Sequence, residues 1–388
     1  MIKTTLISQN YHGWGAIQIL PDEVRRLNAT HALIIADPFL QQNGTLEKLT
    51  ALLDNVNVPY LINTNIIPEP PLAVAEELVA FARTVEVDLV IGLGGGSALD
   101  LAKLVAALIP QQGDVKDFLN LSGQKKLAHC SVPKIMLPTT SGTGSEVTNI
   151  SVLSLDSTKD VVVHDALLAD SVIVDPELTA SVPPRVTAAT GIDALTHAIE
   201  SYVSVNATPI TEGLSLQAIK LISKSLLTAV RDGQNQQARI DMSYGSYLAG
   251  LAFFNAGCAA VHALAYPLGG QFHLAHGESN AVLLPYVMDY IRHHCTEKLK
   301  DIYQAMGHDA THLTAEDASL RAIESLFTLV NAVGIPNRLS EFGIPVEAIT
   351  SLSQDAIKQT RLLQRSPMKL DLQDIEQIYQ RAFNGHQF

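Results

Sequence analysis

Cysteine is scarce in this chain. Cys130, Cys258 and Cys295 lie far apart, are odd in number and form no C-x-x-C pair. That pattern argues against a disulfide framework or a zinc ribbon and favours a reducing compartment, the cytoplasm. Positive charge is also in short supply. A net charge of −13 leaves no basic footprint for nucleic acid, and Lys125-Lys126 is too small a cluster to supply one. Long apolar runs are missing: none reaches about 18 uninterrupted residues, so no membrane span is expected. Polar residues interrupt 1–13, where a secretory leader would need an apolar stretch. Aliphatic side chains, by contrast, are plentiful and spread evenly, which points to a packed core rather than disorder. The 388 residues allow two or three domains.

The first half alternates short apolar runs with amphipathic segments. Residues 31–36, 87–93, 134–137 and 171–175 read as buried strands, with helical patterns at 72–83 and 98–108. This alternation predicts parallel strands covered by helices on both faces. Val182-Pro183-Pro184 punctuates the chain. Beyond it helical patterns dominate, at 185–203, 211–231, 237–254, 278–293 and 315–332. The expected architecture is therefore an α/β, Rossmann-like domain over 1–180 and an all-helical domain over 181–388.

Gly92-Leu93-Gly94-Gly95-Gly96-Ser97 joins a buried strand to a helix, with Ser97 a plausible N-cap. Glycines admit close backbone approach and the helix start offers free N–H groups, so a phosphate fits there. The run is neither a Rossmann fingerprint nor a Walker loop, and an ordinary glycine-rich turn remains an alternative. Asp37 closes another strand and could accept both hydroxyls of an adenine ribose. A Rossmann acid follows its glycines by about 20 residues; Asp37 precedes them, so a shared dinucleotide requires a different strand order. Alone, Asp37 reads more readily as a helix-capping or turn residue before Pro38. A third element, residues 137–148 (LPTTSGTGSEVT), is dense in hydroxyls and glycines. All three elements follow strand C-termini, the edge where ligands gather in open α/β sheets.

In 189–203 (ATGIDALTHAIESYV), Asp193 and His197 are four apart and share a helix face among apolar neighbours. Buried, they need partners: each other, or a cation. A second apolar stretch, 257–277, carries His262, His273 and His276. Pro267 and Gly269-Gly270 are expected to break its helix, so that His262 and His276 aim at one point. One carboxylate with three imidazoles suits Fe²⁺ or Zn²⁺ and argues against Ca²⁺ or Mg²⁺.

At these residues the chain resembles the iron-containing (group III) alcohol dehydrogenase family over essentially its whole length. The motifs that carry the resemblance are GLGGGSALDLAK, LPTTSGTGSEVT, DPELTASVPPRVTAATGIDALTHAIESYVS and VHALAYPLGGQFHLAHGESNAVLLPYV. The resemblance implies a dehydroquinate synthase-like architecture and Asp193, His197, His262 and His276 as metal ligands. It implies NAD as cofactor, its pyrophosphate on Gly94, Gly95, Gly96 and Ser97. Thr139, Thr140, Thr143 and Thr148 match positions around the cofactor, Lys159 one near the nicotinamide ribose, and Asp37 one tied to NAD preference. Two departures stand out. Glu69 replaces an Asn in a P-N-P turn, and Tyr266 replaces a family His placed by the active site. Tyr266 could keep a hydroxyl there, and His273 is a secondary catalytic candidate.

The resulting expectation is a homodimeric enzyme passing hydride between NAD(H) and a small alcohol or aldehyde, without nucleic-acid or membrane partners. A hydroxyacid–oxoacid transhydrogenase is one alternative. A dehydroquinate-synthase-like lyase is another, but it needs clustered Lys and Arg, and no such clustering is evident near the histidines. A maleylacetate-reductase-like enzyme would lack the metal set, and a non-catalytic binder would keep both sites without turnover.

Overall fold

The computed structural model describes residues 3–155 and 159–385. Contacts divide it into two compact units, one of Thr5–Val182 and one running from Pro183 onward.

The first unit is built on eight strands: β1 (Asn10–His12), β2 (Ala32–Ala36), β3 (Tyr60–Asn63), β4 (Leu89–Gly94), β5 (Lys134–Pro138), β6 (Ile150–Ser154), β7 (Lys159–Val163) and β8 (Ser171–Val174). Six of them form one parallel sheet in the order β1-β8-β5-β4-β2-β3, and β6 and β7 pair as an antiparallel hairpin. Every residue of β2, β4, β5 and β8 is buried. That is the condition of a parallel sheet covered on both faces, and it explains why these strands read as unbroken apolar runs. Leu33, Ile34 and Ile35 are fully excluded from solvent; burying each side chain stabilises the fold by about 1.5–3 kcal/mol. The hairpin and the edge strands β1 and β3 were not apparent in the sequence. β3 is short and partly exposed, so it lacks that signal.

The unit's helices are α1 (Leu20–Arg26), α2 (Phe39–Gln42), α3 (Thr45–Asp54), α4 (Leu72–Ala82) and α5 (Gly96–Leu108). α5 lies close on the sheet because Gly92 has no side chain: a Cβ there would come within 2.8 Å of both Ala102 and Met136. β5, β4 and β2 are neighbours, so the loops that follow them emerge side by side. Main-chain bonds continue the ladder into those loops, Asp37 N to Leu93 O at 3.2 Å and Thr139 N to Gly94 O at 2.9 Å. This order seats Asp37 beside the glycines although it precedes them in the chain.

The second unit is helical: α6 (Pro184–Val203), α7 (Pro209–Arg231), α8 (Gln236–Ala256), α9 (Ala260–Phe272), α10 (His276–Ile291), α11 (Thr296–Ala305), α12 (Ala315–Ala332), α13 (Ala348–Ala356), α14 (Thr360–Leu363) and α15 (Leu372–Asn384). No strand occurs among its described residues. Pro184 opens α6, where its missing N–H is no loss. From Gly191 to Val203 α6 is buried on all sides, packed against α7, α8 and α10. Gly191 permits the approach, since a Cβ there would overlap Leu226. The predicted break at Pro267 is not found: α9 continues through that proline. It ends at His273, which takes a left-handed conformation (φ 54°). Among the described residues no single helix is long and apolar enough to cross a membrane.

Candidate metal centre and cofactor loops

Three helices of the second unit bring four side chains together. α6 supplies Asp193 and, one turn later, His197. α9 supplies His262. α10 supplies His276 as its first residue. The first turn of α10 can approach α6 because position 277 is glycine; a Cβ there would collide with the main chain of Ala189. Asp193 Oδ1 lies 3.6 Å from His276 Nε2, 3.7 Å from His262 Nε2 and 3.9 Å from His197 Nε2. One ligand atom from each of the four lies within 4.8 Å of every other. Asp193, His197 and His262 are buried and His276 is partly so.

Two further buried residues organise the group. Glu200, the next turn of α6, accepts from His262 Nδ1 at 2.6 Å and from Val261 N at 2.6 Å. A proton held on Nδ1 leaves the Nε2 lone pair directed at Asp193. Asn280, one turn after His276, donates from Nδ2 to Asp193 Oδ1 at 2.7 Å and lies 3.2 Å from Nε2 of both His262 and His276. Its Oδ1 is buried without a hydrogen-bond partner. Neither residue was singled out in the sequence. Their spacing was the available signal: Glu200 is three after His197, and Asn280 four after His276.

The electrostatics are those of a cation site. Burial disfavours the Asp193 carboxylate, but the three imidazoles and Asn280 outweigh it and hold its pKa below the ordinary value. Burial likewise disfavours charge on His197, but Asp193 and Cys258 together outweigh it, so that pKa rises. The site therefore draws positive charge into a dry place. The donor set and the orphaned Asn280 oxygen both fit a divalent cation, with the hard–borderline ligand mixture suited to iron or zinc. Cys258 also adjoins the group. Burial raises its pKa, but His262 and His197 outweigh that and bring it down to about 7.

Around the centre, the Phe253 ring stacks on His197 at 4.2 Å and the Tyr266 ring lies 6.1 Å from His276. His273 is exposed and stands outside the four-residue group. Arg365 packs on Gly257, next to Cys258, and Arg361 on α14 lies within electrostatic reach of Tyr266.

In the first unit the three predicted loops converge. A Cβ at Gly94 (φ 155°) would come within 2.7 Å of Ala98 and 3.4 Å of Asp37. At Gly95 it would touch Thr140 at 3.4 Å, and at Gly96 Thr143 Cγ2 at 2.7 Å. Asp37 Oδ1 accepts from Phe39 N at 2.9 Å. Ser97 is not the N-cap; α5 begins one residue earlier, and its hydroxyl instead accepts from Glu69 N at 3.1 Å. Glu69 has a left-handed backbone (φ 50°), and its carboxylate pairs with Lys159 Nζ at 2.8 Å. Thr139 is buried. The Thr148 hydroxyl accepts from Lys103 Nζ at 3.0 Å, which ties it into the unit's interior.

The iron-containing alcohol dehydrogenase family model matches residues 8–176, and the model of the C-terminal region of the Fe-containing alcohol dehydrogenase family matches 187–383. Long-chain-alcohol dehydrogenase 1 of Geobacillus thermodenitrificans (strain NG80-2) is 60% identical over 373 residues, covering 96% of this chain and 94% of that protein. Lactaldehyde reductase of Escherichia coli (strain K12) is 34% identical over 375 residues, covering 96% and 97%. Among solved structures, a 1,3-propanediol oxidoreductase superimposes with a TM-score of 0.95 at 34% identity, covering 99% of this chain and 100% of that one. A sulfoacetaldehyde reductase from Bifidobacterium kashiwanohense in complex with NAD+ does so with a TM-score of 0.89 at 26% identity, covering 98% of each. The chain belongs to the iron-containing alcohol dehydrogenase family and is an oxidoreductase.

Proposed function

We propose that this enzyme transfers hydride between NAD(H) and a primary alcohol or its aldehyde, at a divalent metal, Fe²⁺ or Zn²⁺, held by Asp193, His197, His262 and His276. The observation that carries the reading is the convergence of one buried carboxylate and three imidazoles within 4.8 Å. Such a metal, when bound, supplies a Lewis acid that lowers the pKa of an alcohol and polarises a carbonyl.

The protein's part is to place and to shield. Gly94, Gly95, Gly96 and Ser97 are assigned to the pyrophosphate; the close fit of Gly95 and Gly96 against Thr140 and Thr143 supports a loop shaped for backbone contact. Asp37, beside Gly94, is assigned to the adenine ribose, where a carboxylate disfavours the extra phosphate of NADP. Thr139, Thr140, Thr143, Thr148 and Lys159 are assigned to the rest of the cofactor's surroundings; Lys159 would have to share its charge with Glu69. Phe253 supports an apolar wall that excludes water and aligns the alcohol carbon with the nicotinamide. Tyr266 is assigned to the proton of the alcohol hydroxyl, and the exposed His273 to its exchange with solvent. The scarcity of cysteine supports a cytoplasmic setting, and the family resemblance supports a homodimer. The relative active on long-chain alcohols extends the substrate range to consider beyond small alcohols.

The test is NADH absorbance with a panel of alcohols and aldehydes, before and after chelation. Turnover lost on chelation and restored by Fe²⁺ or Zn²⁺ supports the reading; turnover indifferent to chelation refutes it.

A further inference from the structure

Arg361 lies on α14 and Arg365 just beyond it, close enough that burial and the charge of Arg361 together lower the pKa of Arg365. Both are half-buried. Among the described residues neither side chain has a hydrogen-bond or ion-pair partner. In this chain that is unexpected. Asp and Glu exceed Lys and Arg by 39 − 26 = 13, so carboxylates are in surplus. The buried arginines elsewhere are engaged: Arg292 with Glu316, and Arg239 with Gly233 O and Thr187. No nitrogen of either arginine is buried without a partner, so both guanidinium groups still reach solvent, but the partial burial of Arg365 and the charge of Arg361 beside it make a bound anion favourable there.

The backbone makes room for this arrangement. Gly257 ends α8 with φ 86°, and a Cβ there would meet Arg365 Cζ at 2.6 Å. Any other residue would displace the guanidinium. Gly257 precedes Cys258, whose thiol adjoins His197 and His262. α14 packs on α9, which carries His262 and Tyr266. An anion held by the two arginines would therefore direct the rest of its molecule toward the four-residue centre, along Tyr266 and Phe253.

We propose that Arg361 and Arg365 form a carboxylate-binding subsite, and that the preferred substrates are ω-hydroxy carboxylates and the matching ω-oxo carboxylates. The inference rests on the dehydrogenase reading above and names its substrate class. In the oxidative direction the C–H bond at the alcohol carbon breaks and its electron pair passes as hydride to NAD+. The hydroxyl proton goes to solvent, and the remote carboxylate is unchanged. Planar guanidinium forks match a carboxylate in bidentate geometry, which a lysine would not.

The experiment compares kcat/KM for ω-hydroxyhexanoate and hexanol, with shorter and longer pairs, using full-length metal-loaded enzyme. Wild type is expected to favour the hydroxy acid by about tenfold or more. R361Q and R365Q should each lower that ratio by about tenfold, through KM for the hydroxy acid, with R365K losing less. Hexanoate, which cannot react, should compete with hexanol in wild type, a readout that needs no variant. A wild-type ratio at or below one, or no competition by hexanoate, overturns the proposal. A rise in KM for NAD+ instead of the hydroxy acid overturns it too, assigning the arginines to a cofactor phosphate. The hexanol arm separates the two readings: turnover of hexanol without the preference refutes the subsite alone, and no turnover of any alcohol removes the dehydrogenase reading with it.

Discussion

His262 Nδ1 donates to Glu200 Oε2 at 2.6 Å, between two helices, with Glu200 fully excluded from solvent. The bond fixes one ring nitrogen so that the other faces Asp193. Removing such a partner typically weakens metal binding by about 10–100-fold. E200Q, which keeps an acceptor, should lie near the lower end and E200A near the upper, measured by chelator competition. Melting of the metal-free proteins separates a packing defect from a ligand effect. Unchanged metal affinity in E200A would show that Glu200 does not position His262.

Asn280 tests where the cation sits. N280D places a second carboxylate beside Asp193 Oδ1, from which the present Nδ2 is 2.7 Å away. Like charges at that separation repel strongly in a dry site. The metal-free variant should melt below metal-free wild type, and added Fe²⁺ or Zn²⁺ should close the gap. A gap indifferent to metal would put the cation elsewhere.

The glycine loop makes a separate prediction. G96A brings a methyl within 2.7 Å of Thr143 Cγ2, so the loop or Thr143 must shift. KM for NAD+ should rise by about tenfold, of the order expected for a misplaced binding group. Adding T143S, which deletes that methyl, should recover part of the loss. Equal KM values in G96A and wild type would separate the loop from the cofactor.

Glu23 gives a dependence on pH in the first unit. Burial pushes its pKa up, but bonds from Arg26, Ser171 and Tyr11 outweigh this and hold it below the ordinary 4.5. A carboxylate lowered on folding stabilises the protein fully above its unfolded pKa. That stabilisation fades as the pH falls from 4.5 toward the folded value. E23Q should cost about 1–3 kcal/mol at neutral pH and show a shallower loss of Tm on acidification than wild type. Parallel Tm curves would contradict the assignment.

What the sequence made legible follows from periodicity. The fully buried strands declared themselves as apolar runs, and Asp193 and His197 as two polar residues on one face of an apolar helix. Pro267 misled because a proline costs a helix one bond and need not end it when packing holds both sides; the residue that ends α9 is His273, through its left-handed backbone. Ser97 looked like a cap because serine is a good one, yet Gly95 already occupies that place. Arg361 and Arg365 were illegible for another reason. Their meaning lies in what they lack, a partner, and in the glycine far back in the chain that makes space for one of them. Asp37 shows the opposite case, in which strand order restores a proximity that sequence distance hides.

The most direct test of the central claim is metal content and turnover measured on the same samples of wild type, D193N and H262A. Wild type should carry about one iron or zinc per chain, lose it and its NAD-linked alcohol oxidation together on chelation, and regain both on reloading, while the two variants bind neither metal tightly nor alcohol productively. Full turnover by a metal-free wild type, or by either variant, would contradict it.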